Sequence, residues 1–518
     1  MKLQEQPEFV DFYLPFDGKL DPENRWVKLG ELVPWKLVEE RYAAALAESG
    51  MGAPPLPGRV AFGAMIIKER LGLTDEETVA QVFENPYLQH FLGYRELLKK
   101  MPFDPSMMVY FRSRLAQGDY DEINREIIRI ATEPEESEAT ASTDESGKPD
   151  AMVELGAEAE AAAESQPEIE SEQPPPNSGK LIIDATATPA DITYPTDLKI
   201  LNAAREKLEH IIDILHRPLV GTAKKPRTYR KKARRDFMAI TKLKRPGAKK
   251  VRKAIGKQLR YIRRDLRHVE AMVEVGGADL RDLNAYDYRC LLVSAEVYRQ
   301  QLEMWAEQKH RVADRIVSLS QPWVRPIVRG KASAKTEFGA KISVGVVSGY
   351  TTLHRQSWDA YNECADLPGQ AESYRAFHGH WPESIHADKI YRTRANRAWC
   401  KERSIRLSAA PLGRPSEETP ENSAALAAAR TQLRQDEIDR NAVEGKFGNA
   451  KRKGSLARIM AKLVPTSVSV INIGIIVLNL DTRLRELLAC LFTWMCLCHP
   501  RPGGSVKLFH ARLIHCPA

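Results

Sequence analysis

The chain has 518 residues, 43 % of them apolar, and carries 77 Lys and Arg against 69 Asp and Glu for a formal net charge of +8. That length predicts two to four domains with their own cores and excludes a peptide or a disulfide-stapled mini-domain. Its seven cysteines are odd in number and scattered, which reads as reduced thiols. MKLQEQPEFVDF also lacks the apolar stretch of a secretory signal, so a cytoplasmic protein is expected.

Residues 1–131 predict an all-α domain. Residues 34–48, 58–71 and 75–83 have helical periodicity, the last opened by the capping box Thr74 to Glu77, and a further helix starts at Ser106 (MMVYFRSRL). Short helices with tight connections suit a helix-turn-helix-like DNA-binding domain, and equally a helical scaffold or dimerisation module. Residues 132–178 hold 14 acidic residues against Lys148 and almost no large apolar side chains, the composition of a disordered acidic linker.

In LIIDATATPADI the residues Leu181, Ile182 and Ile183 predict a short strand ending at Asp184. Asp191, Tyr194 and Asp197 follow closely, with Asp197 placed as an N-cap for LKILN. A mostly helical insertion is expected over about 198–335. Within it, residues 217–267 hold 21 Lys and Arg against Asp236 and Asp265. Such density points to phosphate neutralisation by Lys224, Lys225, Arg227, Arg230, Lys231, Lys232, Arg234 and Arg235, with Tyr229 and Tyr261 available to stack on bases or to pack. A solvated basic surface is the plain alternative.

Strands resume at 341–347 and 350–354, joined by Ser348 and Gly349 as a hairpin turn. Residues 384–388, 394–403 and 404–407 read as strand, helix, strand, a βαβ unit, and a long helix covers 423–451. The longest apolar run, 487–498, holds 12 residues broken only by Thr493; it is too short to span a bilayer and reads as a buried helix. The cysteines and histidines around Cys496, Cys498 and His499 do not have the spacing of a paired zinc site.

Asp184 and Asp388 each follow a short apolar strand, and Glu444 lies on the late long helix. Three converging carboxylates require a cation, and hard oxygen donors suit Mg²⁺ or Mn²⁺, as two ions roughly 3.5 to 4 Å apart for in-line phosphoryl displacement. Arg440, Glu444 and Lys451 fall within about 40° on one helix face, so cations that grip phosphate would flank the carboxylate. An exposed charged face is the alternative. Gly445 and Gly448 weaken this helix without an evident local reason. His386 shares a strand face with Asp388 and reads as a packing or orienting residue.

LIIDATATPADITYPTD, ADKIYRTRANRAWCKERSIRLS and RNAVEGKFGNAKRKGSLARI together resemble a bacterial insertion-sequence DDE transposase, and ENPYLQHFLGY with PFDPSMMVYFRSRL is similar to the InsH-type N-terminal domain of that group. The resemblance implies an α/β fold: an RNase H-like catalytic core over 179–465, split by the basic helical insertion, preceded by the all-α domain and acidic linker and followed by C-terminal helices and a tail over 466–518. It places the acidic triad and its two metal ions at Asp184, Asp388 and Glu444. The late signature Tyr-x2-Arg-x3-Glu-x6-Lys is met at Arg440, Glu444 and Lys451, with Glu437 where the tyrosine stands in the family. The activity it implies is binding of terminal inverted repeats by a homodimer on paired ends, then cleavage and strand transfer on double-stranded DNA. An RNase H-like nuclease that does not join, or a decayed DNA-binding remnant acting as a repressor, are the alternatives.

Overall fold

The computed structural model describes residues 18–46, 54–132, 175–328, 336–408, 419 and 422–498, with side chains up to residue 489. The acidic segment 133–174, the cysteines from Cys490 onward and the C-terminal tail lie outside the described residues or side chains.

Seven helices open the chain: α1 Arg25–Glu31, α2 Trp35–Ala44, α3 Gly58–Leu71, α4 Asp75–Glu84, α5 Pro86–Phe91, α6 Met107–Arg114 and α7 Gln117–Thr132. Their starts follow the local sequence. Thr74 Oγ1 accepts from the Glu77 amide at the head of α4, and Asn85 caps α5 with Pro86 in its first turn, where no amide donor is needed.

The sheet begins with β1, Lys180–Pro189, followed by four helices, α8 Asp197–His216, α9 Arg230–Thr241, α10 Ala248–Glu274 and α11 Ala285–Glu307. Strands β2 Arg325–Val328, β3 Thr336–Val347 and β4 Tyr350–Ser357 come next, then α12 Leu367–His378, β5 Ser384–His386, α13 Arg394–Glu402 and β6 Arg406–Ser408. Two long helices end the described chain, α14 Ser423–Lys453 and α15 Val464–Cys498.

β3 lies antiparallel to β1 across the full register from Ile182 opposite Val346 to Pro189 opposite Gly339. On its far edge β3 pairs with β4 and, further along, with β2. On the other side of β1, β5 and then β6 join in parallel. The hairpin between β3 and β4 turns at Ser348 and Gly349, both at positive φ (49° and 86°), the twist that matches two flanking strands. Gly339 has to be glycine: a Cβ there would stand 2.1 Å from the Thr188 carbonyl oxygen across the ladder.

Four expectations from sequence require correction. The first strand does not stop at Asp184 but runs to Pro189, because the small and β-branched ATAT residues pair with β3 throughout. Strand structure also resumes earlier than residue 335: β2 adds an edge strand at Arg325–Val328, where Pro326 is tolerated because an edge strand can spare an amide. The cap of α8 is Thr196, whose hydroxyl accepts from the Lys199 amide, while Asp197 is the first helical residue and takes an ion pair from Arg315 at 2.5 Å. Finally, the terminal helix starts at Val464, well before the apolar run at 487–498.

Alternation along β1 divides the core. Leu181 and Ile183 pack with α12, β5 and α13 through Leu367, Ala371, Ile385 and Cys400. Ile182 faces the other way, where Ile342, Val344 and Val346 of β3 meet Val443 and Ala450 of α14 and Ile471 and Ile475 of α15. The opposite side of α15 belongs to a second core: Ile473, Ile476, Val477, Leu480 and Leu484 pack among the N-terminal helices.

By length and composition alone, Val464–Ala489 could cross a membrane, yet most of it is buried within the protein. Its polar residues are met there as well. Tyr120 Oη donates to Ser469 Oγ at 2.7 Å, and Asn479 donates to both Asn124 Oδ1 and the Thr351 carbonyl at 2.8 Å, tying α15 to α7 and β4. Helices α8, α10 and α11 build a separate apolar core around Leu201, Leu208, Ile212, Ile262 and Val297.

Candidate active site

The parallel pairing of β1 with β5 sets Lys180 beside Ser384, Leu181 beside Ile385 and Ile182 beside His386. The ladder ends at that pair; by the period of two Asp184 belongs to the face that carries Ile182, and Asp388 follows His386 by two residues, just past the end of β5. Asp388 keeps an extended backbone, is exposed, and caps the short 3₁₀ turn Lys389–Tyr391 by accepting from the Lys389 amide at 2.7 Å. Asp184 is half-buried, and its Oδ1 accepts from the Ala185 amide at 2.7 Å.

Helix α14 lies across this face and is pinned at three places. Arg406 of β6 donates to both Asp436 oxygens at 2.7 and 3.0 Å, Lys180 of β1 pairs with Asp439 at 2.7 Å, and Lys451 Nζ donates to Thr186 Oγ1 at 2.9 Å. Between these pins Val443 is fully buried against the sheet. The helix therefore runs in the same direction as β1, with Asp439 over the strand's beginning and Lys451 over Thr186, two residues past Asp184 on the same face.

Glu444 lies at the exposed border of that docked stripe and pairs with Arg440 at 3.6 Å. The structure thus places Asp184 on β1 and Asp388 just past the end of the neighbouring β5, and lays the helix bearing Arg440, Glu444 and Lys451 across the sheet face of Asp184. It does not gather the three carboxylates: among the described residues no three His, Cys, Asp or Glu stand close enough to share a metal ion. The donor chemistry of the two aspartates, hard carboxylate oxygens, fits Mg²⁺ or Mn²⁺, while Glu444 is engaged by Arg440.

His386 is fully buried beneath α14; its Nε2 lies 3.0 Å from Ser384 Oγ and its Nδ1 3.8 Å from Asp436. Burial pushes its pKa down, against the opposing pull of Asp436, so it favours the neutral ring of a packing residue. Burial alone would raise Asp436, but hydrogen bonds from Arg406, Ser408 and Gln432 outweigh it and hold the carboxyl at about 2. Tyr391 is buried below Asp388, and burial first, then the nearby Asp184 charge, raises its phenol well above the ordinary range.

The sequence reading missed Thr186, Asp436 and Asp439, which fix α14 on the sheet. Their signal was weak, since each lies among ordinary polar residues. At Gly445 an added methyl would meet open space, and at Gly448 only the Arg452 guanidinium at 3.8 Å, so packing inside the chain does not require either glycine.

The basic residues flank and head α9. Arg230 and Lys225 both pair with Asp213 at 2.7 Å, whereas Lys224, Arg227, Lys231, Lys232, Arg234 and Arg235 are exposed. Tyr261 is buried and donates to Asp236 at 2.9 Å; Tyr229, half exposed, is covered by the Arg264 guanidinium 4.6 Å from its ring centre. Packing accounts for Tyr261. Of the residues after β1, Asp191 is paired with Arg458, and Tyr194 is exposed with its ring set edge-on to Phe338.

Comparison with known proteins finds two domain families. The transposase DDE domain matches residues 385–481, a span that holds Asp388, Glu444 and the first half of α15, and a transposase domain family (DUF772) matches residues 14–114, the N-terminal helices. A Rhizobium meliloti protein named "Uncharacterized protein ORF8 in nfe locus" is 28 % identical over 115 residues, 22 % of this chain and 55 % of that protein, so the chain spans about half the length of this curated relative. No solved structure matches the chain. One transposase domain family thus matches the helices that enclose α15 and another the stretch that carries Asp388 and α14, so over these two stretches the chain is similar to transposases.

Proposed function

We propose that this chain is an insertion-sequence DDE transposase that binds the terminal inverted repeats of its own element and carries out metal-dependent cleavage and strand transfer on double-stranded DNA at Asp184, Asp388 and Glu444. The observation that supports the reading is the parallel pairing of β1 with β5 up to Ile182 and His386, each followed two residues on by an aspartate, Asp184 and Asp388, with α14 docked on the face of Ile182. An RNase H-like core is supported by the strand order β4-β3-β1-β5-β6, with β1, β5 and β6 parallel and β3 antiparallel.

Asp184 and Asp388 are the residues that would hold Mg²⁺ or Mn²⁺, and Glu444 would join them, completing a site for two ions, once released from Arg440; when bound, the ions would supply charge neutralisation for in-line displacement at phosphorus. The chain's own groups do the rest. Lys451, held over β1 by Thr186, and Arg440, four residues before Glu444, are placed to pair with phosphate oxygens beside the carboxylates. Fixing the phosphate against this rigid sheet and helix lowers the barrier through positioning. Lys224, Lys225, Arg227, Arg230, Lys231, Lys232, Arg234 and Arg235 neutralise the DNA backbone, and the N-terminal helices read the end sequence. Two copies act on paired ends in the cytoplasm, at the nucleoid.

The test is a cleavage and strand-transfer assay in Mg²⁺ or Mn²⁺ on the element's own flanking DNA, with wild type beside Asp388→Asn. Joined products that require metal and vanish in the variant are expected. Cleavage without joining would move the protein to the nuclease class, and binding by folded protein without either reaction would make it a DNA-binding remnant.

A further inference from the structure

Helix α11 buries one side in the core it shares with α8 and α10, through Cys290, Ser294, Val297 and Met304. Its outer side is less usual. Tyr288, Leu292, Ala295, Arg299, Leu302 and Ala306 are all exposed and recur at steps of 4, 3, 4, 3 and 4 residues, the spacing of a two-stranded coiled-coil seam. Tyr288, Leu292 and Leu302 leave 43, 55 and 38 % of their surface in water.

The seam complements itself in size. If a second α11 is laid antiparallel about a two-fold axis between Ala295 and Arg299, Tyr288 meets Ala306, Leu292 meets Leu302 and Ala295 meets Arg299, so each bulky residue faces a small one or its own kind. Every layer then pairs one seam position with the other kind, as antiparallel helix pairs do. The charges agree with this arrangement. Arg289 on one helix comes opposite Glu303 on the other, twice by symmetry, and the two Glu296 side chains that meet at the axis are bracketed by the two Arg299 side chains. Within one chain Arg299 pairs with Glu296 at 2.6 Å and Glu303 at 3.0 Å, which holds these charges along the edge of the seam. A surface that complements itself under a two-fold operation is what an isologous dimer contact requires.

We infer that the exposed seam of α11 is a dimer contact, pairing antiparallel with α11 of a second copy of this chain. The inference rests on the homodimer reading above and names the surface that forms it.

Sedimentation velocity of the full chain without DNA, together with disulfide mapping, tests it. Wild type is expected to dimerise, and Leu292→Glu with Leu302→Glu, both on the surface, to weaken the dimer at least about a hundredfold while circular dichroism stays unchanged. Because Leu292 faces Leu302 and not itself, Leu292→Cys and Leu302→Cys should form an inter-chain disulfide when the two single variants are mixed and oxidised. Neither variant alone should cross-link above the wild-type background of native cysteines. A dimer that persists in the double glutamate variant, without the mixed disulfide, overturns the seam and leaves the dimer standing on another surface. A wild type that stays monomeric and gives no mixed disulfide overturns both.

Discussion

Lys451 Nζ donates to Thr186 Oγ1 at 2.9 Å, and this bond sets the end of α14 over β1 two residues beyond Asp184. A helix docked only by Val443 and Ala450 would be free to slide by a turn on an apolar sheet; the bond at one end and the Asp436 to Arg406 pair at the other define its position. Glu444 lies between the two.

Thr186→Val keeps the shape and the strand propensity of the residue and removes the acceptor. About 1 kcal/mol of stability should be lost. Strand transfer should fall by roughly tenfold as Lys451 loses its fixed position, with DNA binding unchanged. Thermal unfolding beside a strand-transfer assay reads both effects; unchanged transfer would remove Thr186 as a positioning residue.

Asp436 is held at about 2 in the fold against an ordinary value of 3.8, burial being outweighed by its hydrogen bonds. A depressed carboxyl contributes stability that is present above pH 3.8 and is lost as pH falls toward 2. Asp436→Ala should cost about 2 kcal/mol at pH 7 and flatten the stability profile of that acid window. Urea unfolding at pH 7 and pH 3 checks the sign: the gap between wild type and variant should shrink at the lower pH.

Asp265 shows the opposite behaviour. It is fully buried in α10, neither carboxylate oxygen has a hydrogen-bond partner among the described residues, and Arg264 Nε lies 3.8 Å away. Burial pushes its pKa up to about 7, against Arg264, with Glu209 raising it further and Arg205 and Arg230 opposing. A raised carboxyl costs stability progressively from about pH 4 to pH 7. Asp265→Asn should therefore stabilise the protein at pH 8, by about 2 kcal/mol, and make little difference at pH 4. Destabilisation at pH 8 would show that the charge is compensated in the fold.

Lys231, Lys232, Arg234 and Arg235 are exposed on α9. Replacing all four by Ala should leave the unfolding midpoint unchanged and weaken DNA binding without regard to sequence. If all four meet phosphates, the slope of log affinity against log salt should become shallower by between 3 and 4, at about 0.9 per contact. An unchanged slope would return this surface to ordinary solvation.

Local pattern carried much of the fold. The capping box at Thr74, the turn at Ser348 and Gly349, the βαβ unit from β5 to β6 and the start of α14 at Ser423 all lie where short-range sequence places them, because caps, tight turns and periodicity are encoded within a few residues. Long-range pairing was harder to read. The end of β1 was misplaced because its last residues are strand only by virtue of β3, and β2 was missed because a four-residue edge strand with a proline has almost no pattern of its own.

The sequence by itself determined the kinds of residue available: a strongly basic segment, two aspartates each following an apolar strand, and a glutamate spaced between two cations on one helix. Only the tertiary structure decided how they stand together. The parallel pairing of β1 with β5 puts next to each other the two strands that lead to Asp184 and Asp388, and the pins at Asp436, Asp439 and Lys451 lay α14 across the sheet. The first part of α15, apolar enough overall to pass for a membrane span but interrupted by Ser469 and Asn479, became a core helix, because those two side chains found partners on α7 and β4. Such choices depend on backbone and side-chain groups hundreds of residues apart, and no local pattern in the chain records them.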